Sequence, residues 1–407
     1  MKLTIKNSSF LVHSFVILLI EIWQPVNTIL FHIDGAGRIP LILLILSLLL
    51  TINAIIHISL HKPLIIYLVL AIYMFVNGMI KGGWEHYESY ESSGVYLLFF
   101  RIFMAPFYMF LVAKMAFYDF NKTLKVVTWG FLLYCIICLL GAGESHAHEG
   151  RLGEAINANE IGLVAAILFI VVLLQYIRGS FSLFYFIAFS AISLFTIFET
   201  GSRMAISMVI IVAVLVLLFT QKNYKLHSLF YMIVSLLIGY FVIRYIMDNT
   251  LLGARFQTTS QEMEFSELAT GTFLDKFGDR GLQYYYSWPF FTRNILTGIG
   301  FDNWADYNPI GSYRFHSEYL VQYCECGLIG ISLYLYFLIS LFHRLLKVWF
   351  SQTGYFRKTL KVLFFGLLAI AVANFVIWTH NSVAVFAIFA LSYAASYKVQ
   401  QIQAPSC

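Results

Sequence analysis

Residues 161–177 read IGLVAAILFIVVLLQYI, seventeen positions without a formal charge. About twenty apolar residues in a helix span the hydrocarbon layer of a bilayer. Runs of this kind recur near 10–31, 39–60, 64–80, 95–117, 124–142, 160–177, 181–199, 203–220, 228–247, 317–342, 360–378 and 381–397. About twelve of them in 407 residues predict an all-α integral membrane protein, because backbone polar groups in lipid must find partners within helices or closed barrels. Composition agrees: 12% of the residues are charged, against about 25% in soluble proteins. A chain so poor in charge cannot cover a water-facing surface, and no nucleic acid is expected among its partners.

Lys2 and Lys6 before FLVHSFVILLI resemble the start of a signal peptide, but Glu21, Trp23 and Pro25 follow instead of a small-residue cleavage site. The stretch reads as an uncleaved first span. Lys and Arg in short loops set orientation. With a cytoplasmic N-terminus, about fifteen basic residues fall on the inner side, against Arg38, Lys81, Arg151 and Arg203 in the short outer loops. Both termini are then cytoplasmic, and the polar, aromatic segment from about 248 to 316 lies outside, before span ten. Cys135 with Cys138, and Cys324 with Cys326, sit in apolar runs without further ligands, so they read as packing thiols. No internal repeat of the transporter kind is visible.

Even-numbered spans start at the outer face, and several starts carry polar clusters. EGRLGEAINANEIG precedes span six with Arg151. ETGSRMA opens span eight, with Ser202 as a cap and Arg203 in the first turn. RFHSEYL opens span ten, and the long loop brings Arg280 and Arg293. A helix N-terminus carries about half a positive charge and attracts anions. An arginine there is unfavourable unless an anion joins it, so Arg151, Arg203 and Arg280 could clamp a diphosphate through charge-assisted hydrogen bonds. The competing meaning of each, alone, is a snorkelling anchor.

His316 stands where the helix dipole disfavours imidazolium, so the ring should be neutral and able to accept a proton. The spacing predicts His316, Tyr319, Leu320, Tyr323 and Gly327 on one helix face, with Gly327 and Gly330 permitting close approach of another helix. Arg314, Glu318 and Tyr319 are possible substrate contacts beside it. In YYYSWPFF the rings read first as an interfacial belt, with Trp288, and Trp304 further on, candidates for stacking on a sugar. His146 and His148 in ESHAHEG could form a loose metal site, and His380 in WTHNS could be a second polar contact.

In order along the chain, RLGEAINANEIG at 151–162, GSR at 201–203, RGLQYYYSW…ILTGIG at 280–300 and HSEYLVQYCECGLIG at 316–330 resemble the motifs of the O-antigen ligase and polymerase superfamily. The resemblance covers about residues 150–345, and its most specific element is His-Ser, a nine-residue gap, then Gly-x-x-Gly. It implies a GT-C-like bundle of about twelve spans with one large periplasmic loop before span ten. By position, residues 1–150 would hold spans one to five, 151–345 the catalytic region with the loop 248–316, and 346–407 the last two spans.

The resemblance further implies a multi-pass inner-membrane glycosyltransferase, inverting and metal-independent, with no cofactor and a periplasmic site. Its donor would be a glycan on undecaprenyl diphosphate. His316 matches the catalytic histidine and Arg151, Arg203 and Arg280 the diphosphate-binding arginines. The acceptor would be a lipid A–core sugar in a ligase, or a lipid-linked glycan in a polymerase. Glu318 and Glu325 flank the motif and the outer loops are acidic; these acids either shape acceptor choice or face water. A transporter or flippase is the alternative of another class, but would place its charges near the bilayer midplane.

Overall fold

The computed structural model describes residues 7–26, 49, 62–85, 94–141, 157–220, 279–307, 315–380 and 382–403. Spans two and nine, most of the 248–316 loop, Arg151, Arg314, His146 and His148 lie outside the described residues. Among the described residues the regular structure is helical. It consists of α1 (Asn7–Pro25), α2 (Lys62–Ile80), α3 (Gly94–Tyr118), α4 (Phe120–Leu140), α5 (Ala158–Ile177), α6 (Leu183–Thr200), α7 (Arg203–Thr220), α8 (Asp279–Ser287), α9 (Gly327–Ser351), α10 (Gly354–Ala373) and α11 (Val383–Gln403). Short helical turns link α8 to α9. Among the described residues six helices, in α2 to α6 and α9, are long and apolar enough to cross a membrane.

Local chemistry sets the breaks. Asp119 alone separates α3 from α4, and its side chain caps α4 by accepting from Lys122 N at 3.0 Å. Asn157 caps α5 by accepting from Asn159 N at 2.9 Å. Gly201, left-handed at φ 58°, ends α6, and the Ser202 hydroxyl then accepts from Ala205 N at 3.4 Å to start α7. That is the cap the sequence predicts.

The core lies along α3, α5 and α11, with α3 packed on α11 and α5 held between α4, α6, α7 and α10. In α11 the buried Ala384, Ala387, Ala390, Ala394 and Ala395 let neighbours approach closely. Outward, Phe184, Ile187, Phe195 and Leu217 are exposed, as expected of faces turned to lipid. Glu21 of α1 is buried and takes a short hydrogen bond from the Tyr108 hydroxyl of α3, with Gly130 of α4 leaving the room its carboxylate occupies.

The two ends of the bundle differ. At one end Arg178 donates to Asn121 Oδ1 at 2.6 and 3.0 Å and to Thr359 Oγ1 at 3.0 Å, and Lys361 reaches the Phe219 carbonyl. This end gathers the cations that the sequence assigns to the cytoplasm. The other end gathers the C-termini of α1 and α2, the N-termini of α3, α5, α7 and α11, and the segments 295–304, 315–327 and 374–382. Every described site candidate belongs to it.

Span ten differs from the sequence expectation. The continuous helix over 317–342 is replaced by a helical turn at Glu318–Leu320, a π turn at Val321–Glu325 and a fresh start at Gly327, where φ is +69°. His316 therefore sits on a non-helical lead-in, not about three turns above Gly327 on a shared helix face. The glycines also serve another purpose. A Cβ on Gly327 would strike the Leu296 carbonyl, and one on Gly330 would strike Cys326 and Gln322 of its own chain segment. They admit a loop and a tight turn, not a second helix.

Candidate active site

Breaking span ten strands carbonyls before the break and N–H groups after it, and stranded groups inside a membrane protein must be paired. The ILTGIG segment at 295–300 pairs them. Ile299 N and Gly300 N donate to the Cys324 and Glu325 carbonyls at 2.9 Å each, while Leu328 N and Ile329 N donate to the Ile295 and Leu296 carbonyls at 2.7 and 3.3 Å. Two sequence motifs thus interlock through their backbones. Side chains of α2 and the turn after it complete the seam: Tyr73 OH donates to the Cys326 carbonyl at 2.8 Å, Asn77 Nδ2 to Thr297 and Glu325 carbonyls at 3.0 Å, and Lys81 Nζ to Thr297 Oγ1 at 2.9 Å.

A buried carboxylate anchors the next layer. Glu318 is fully buried, outside the spanning helix α9, and accepts from Thr379 N at 2.6 Å, His380 N at 2.9 Å and Gln322 Nε2 at 2.8 Å. His380 Nδ1 lies 3.1 Å from the same oxygen that takes the two backbone groups. Burial alone pushes the Glu318 carboxyl up, but His380 beside it, with the Gln322 amide and the Thr379 N–H, brings it below the ordinary carboxylate range. Glu318, a possible substrate contact by sequence, therefore holds the 374–380 turn onto the start of span ten from the interior. Ser317 reinforces it: its N-capping hydroxyl meets the Asn374 carbonyl at 3.1 Å and the Tyr284 hydroxyl at 2.9 Å. Tyr319 is likewise engaged, donating to the Ala371 carbonyl at 2.9 Å beneath the Phe375 ring.

His316 is fixed by its neighbours. Its N–H donates to Gln283 Oε1 of α8 at 2.8 Å, and Ser317 and Glu318 lock the residues after it. The half-buried His316 lines a cleft with Asn157, Asn159, Glu160 and Leu163 of α5 and with Val376, Ile377, Trp378 and Ser382. Arg203 opens α7 next to this wall, since the preceding Ser202 packs on Gly162 of α5; a Cβ there would come within 2.6 Å of it. Arg280 lies one turn before Gln283 in α8, and its side chain is outside the described set. His316, the start of α7 and α8 are thus brought to one end. Trp288 stands 71% exposed and is not among the cleft's lining residues, and Trp304 is fully buried and stacked on Phe315, so it offers no face to a sugar.

A second ionic cluster backs the cleft. Arg101 of α3 pairs with Asp302 at 2.5 Å, both largely buried, and its guanidinium carbon lies 4.9 Å from the Trp378 ring centroid. Glu325 accepts from Asp302 N at 2.9 Å and Trp304 N at 3.4 Å. Burial first, and the Asp302 carboxylate second, push its carboxyl up to about 8 against those hydrogen bonds and the Arg101 charge. Sequence reasoning missed Arg101, Asp302, Gln283 and the pairing of Glu318 with His380. The one available hint was charge itself, since ionisable residues inside a membrane protein seldom lack partners. Among the described residues no three His, Cys, Asp or Glu side chains group as a metal site.

These features define a multi-pass helical membrane protein with an imidazole-bearing polar cleft at one end of its bundle. Residues 187–335, a little over a third of the chain, match the family model described as O-Antigen ligase, and this match supports the O-antigen ligase and polymerase superfamily that the motifs resemble. The matched stretch carries Arg203, the ILTGIG segment, His316 and the glycine pair. The α5 wall and the 376–382 wall of the cleft lie beyond it. The match supports a membrane glycosyltransferase of the ligase or polymerase type, whose substrates are lipid-linked polysaccharides. No curated protein matched the chain.

Proposed function

We propose that the protein transfers a glycan from undecaprenyl diphosphate to an acceptor sugar hydroxyl at the periplasmic face of the bacterial inner membrane. The observation that carries this reading is the position of His316. It lines a cleft at the end of the bundle where α7 begins with Arg203 and α8 carries Arg280, within the stretch that matches O-antigen ligase.

In this mechanism His316 takes the proton from the acceptor hydroxyl. The resulting oxygen attacks the anomeric carbon of the donor, and the bond from that carbon to the diphosphate oxygen breaks. The lipid diphosphate leaves with its added negative charge, which Arg203, Arg280 and Arg151 stabilise. One displacement inverts the anomeric centre, and no metal is required for it. Ligase activity toward lipid A–core is the favoured form, with polymerisation of lipid-linked repeat units as the second.

The test uses purified protein, undecaprenyl-diphosphate-linked oligosaccharide and, separately, O-antigen-free lipopolysaccharide or the same lipid-linked oligosaccharide as acceptor, with and without EDTA. His316→Ala should lower transfer by about 10²–10⁴-fold, the usual contribution of a positioned acid–base group, while the protein still folds. Arg203→Ala should raise the donor KM and leave the acceptor KM unchanged. EDTA should change nothing, and the acceptor that gains mass assigns ligase or polymerase. Absence of transfer to both acceptors by the wild-type protein overturns the reading.

A further inference from the structure

The cleft beside His316 has room for about one water molecule and none for a sugar ring. It therefore serves the histidine and not a substrate. Apart from His316, Glu160 is the one ionisable side chain among its lining residues. Glu160 is tethered: Gln24 Nε2 donates to its Oε2 at 3.2 Å, and the Tyr134 hydroxyl donates to Gln24 Oε1 at 3.4 Å, which fixes the way the amide points. The carboxylate stands in the first turn of α5, where the helix dipole stabilises negative charge. His316 is anchored through its own N–H by Gln283. A tethered carboxylate and a backbone-anchored imidazole thus border a space the size of a single water. Ser382 borders it too. Its side chain is 4% exposed, and its hydroxyl has no hydrogen-bond partner among the described residues. A polar pocket of that size, with about two to four polar partners, is what an ordered water requires.

Resting on the transferase reading above, we propose that Glu160 is the positioning partner of His316, acting across one water that joins the carboxylate, the imidazole and the Ser382 hydroxyl. When the acceptor O–H bond breaks and its proton forms a new N–H bond on His316, the ring becomes an imidazolium. The Glu160 carboxylate balances that charge, and the water carries the alignment from α5 to the ring. Other charged groups around the cleft have partners of their own. Glu318 and His380 face each other, Arg101 beside Trp378 is paired with Asp302, and Glu21, one turn before Gln24 in α1, takes the Tyr108 hydroxyl. Arg203 opens α7 beside the α5 wall, and Arg280 lies in α8 one turn before Gln283. Both are cations that disfavour imidazolium, and the carboxylate offsets them.

Two measurements on the full-length protein in nanodiscs test this. Deuterium exchange at the imidazole C2 position of His316, followed by mass spectrometry across pH, reads the protonation of that ring without turnover. A unit negative charge about 6 Å away, two hydrogen bonds across a water, favours imidazolium at least about threefold even in a water-like medium. Glu160→Gln keeps an acceptor for Gln24 and removes the charge, so it should move the exchange midpoint to lower pH by about 0.5 or more. Glu160→Asp keeps the charge and should leave the midpoint close to the wild-type value. In transfer kinetics at about pH 8.5, above the ordinary histidine range, Glu160→Gln should lower kcat by about threefold or more with both KM values unchanged. Glu160→Asp should recover most of that loss. Identical midpoints in wild type and Glu160→Gln overturn the partnership, whether or not the protein transfers sugar. A midpoint that moves as far in Glu160→Asp as in Glu160→Gln means that Glu160 only supports the fold, and overturns it equally. A shifted midpoint in Glu160→Gln alone, with no transfer by the wild type, keeps the pair and removes the transferase reading.

Discussion

Gly327 and Gly354 offer a controlled pair for the interlock that shapes the site. Both glycines start a long helix with left-handed backbone, φ +69° and +66°. Alanine in that conformation costs about 1–2 kcal/mol at either place. Around Gly354 a Cβ would meet nothing within 4 Å, whereas at Gly327 it would run into the Leu296 carbonyl and the Gly298 nitrogen. Those atoms are backbone, held by the bonds from Leu328 and Ile329 to Ile295 and Leu296. Relief therefore means moving the ILTGIG segment and giving up one or both bonds, each worth about 1 kcal/mol net, on top of an overpacking cost of about 1–3 kcal/mol. Gly354→Ala should thus lose about 1–2 kcal/mol and Gly327→Ala about 3–7 kcal/mol. Denaturation by SDS in mixed micelles, followed by tryptophan fluorescence, measures the difference. Transfer activity should fall in Gly327→Ala alone, because the displaced ILTGIG segment pairs with the π turn that follows His316. Equal losses of stability in the two variants would refute the interlock as the reason for glycine at 327.

Two further outcomes follow from the buried carboxylates. Glu318→Ala leaves Thr379 N, His380 N, the His380 ring and the Gln322 amide without their shared acceptor. Leaving buried donors without their acceptor costs about 1–3 kcal/mol for each group left unsatisfied, so the same SDS titration should show a loss of at least about 1–3 kcal/mol, and wild-type-like stability would disprove the anchoring role. Glu325 has its carboxyl raised from an ordinary 4.5 to about 8, which reverses the usual carboxylate behaviour. Its ionisation costs more in the folded state than in the unfolded state, so its contribution to stability is present below pH 4.5 and is lost as pH rises toward about 8. The melting temperature of Glu325→Gln relative to wild type should therefore climb across that window, and a flat or falling difference would count against a proton held on Glu325 at neutral pH.

Much of the architecture is legible because it is written in local chemistry. The apolar runs near 64–80, 95–117, 124–142, 160–177, 181–199 and 203–220 fall on α2 to α7 within a few residues, and the Ser202 cap is where a Gly-Ser-Arg turn should put it. The clustering of described candidates at one end also follows, since alternate starts of an up-and-down bundle share an end. The interruption of span ten was not legible. VQYCECGLIG has the hydropathy of a continuous helix, and what breaks it is an external strand of backbone, ILTGIG, supplied from about thirty residues earlier. Glu318 read as a possible substrate contact for the same reason: its partners at 379 and 380 are about sixty residues away.

The sequence by itself determined that the chain is a bundle of membrane helices and where most of the described ones begin and end. Periodicity, capping and lipid solvation act over one helix and need no partner. Only the tertiary structure decided that Glu318 faces inward, that Gly327 admits a loop, and that His316 shares its cleft with Trp378 and the start of α5. Those outcomes depend on which distant backbone groups satisfy one another in a medium without water, and residues 60 to 250 positions apart carry no local mark of that pairing.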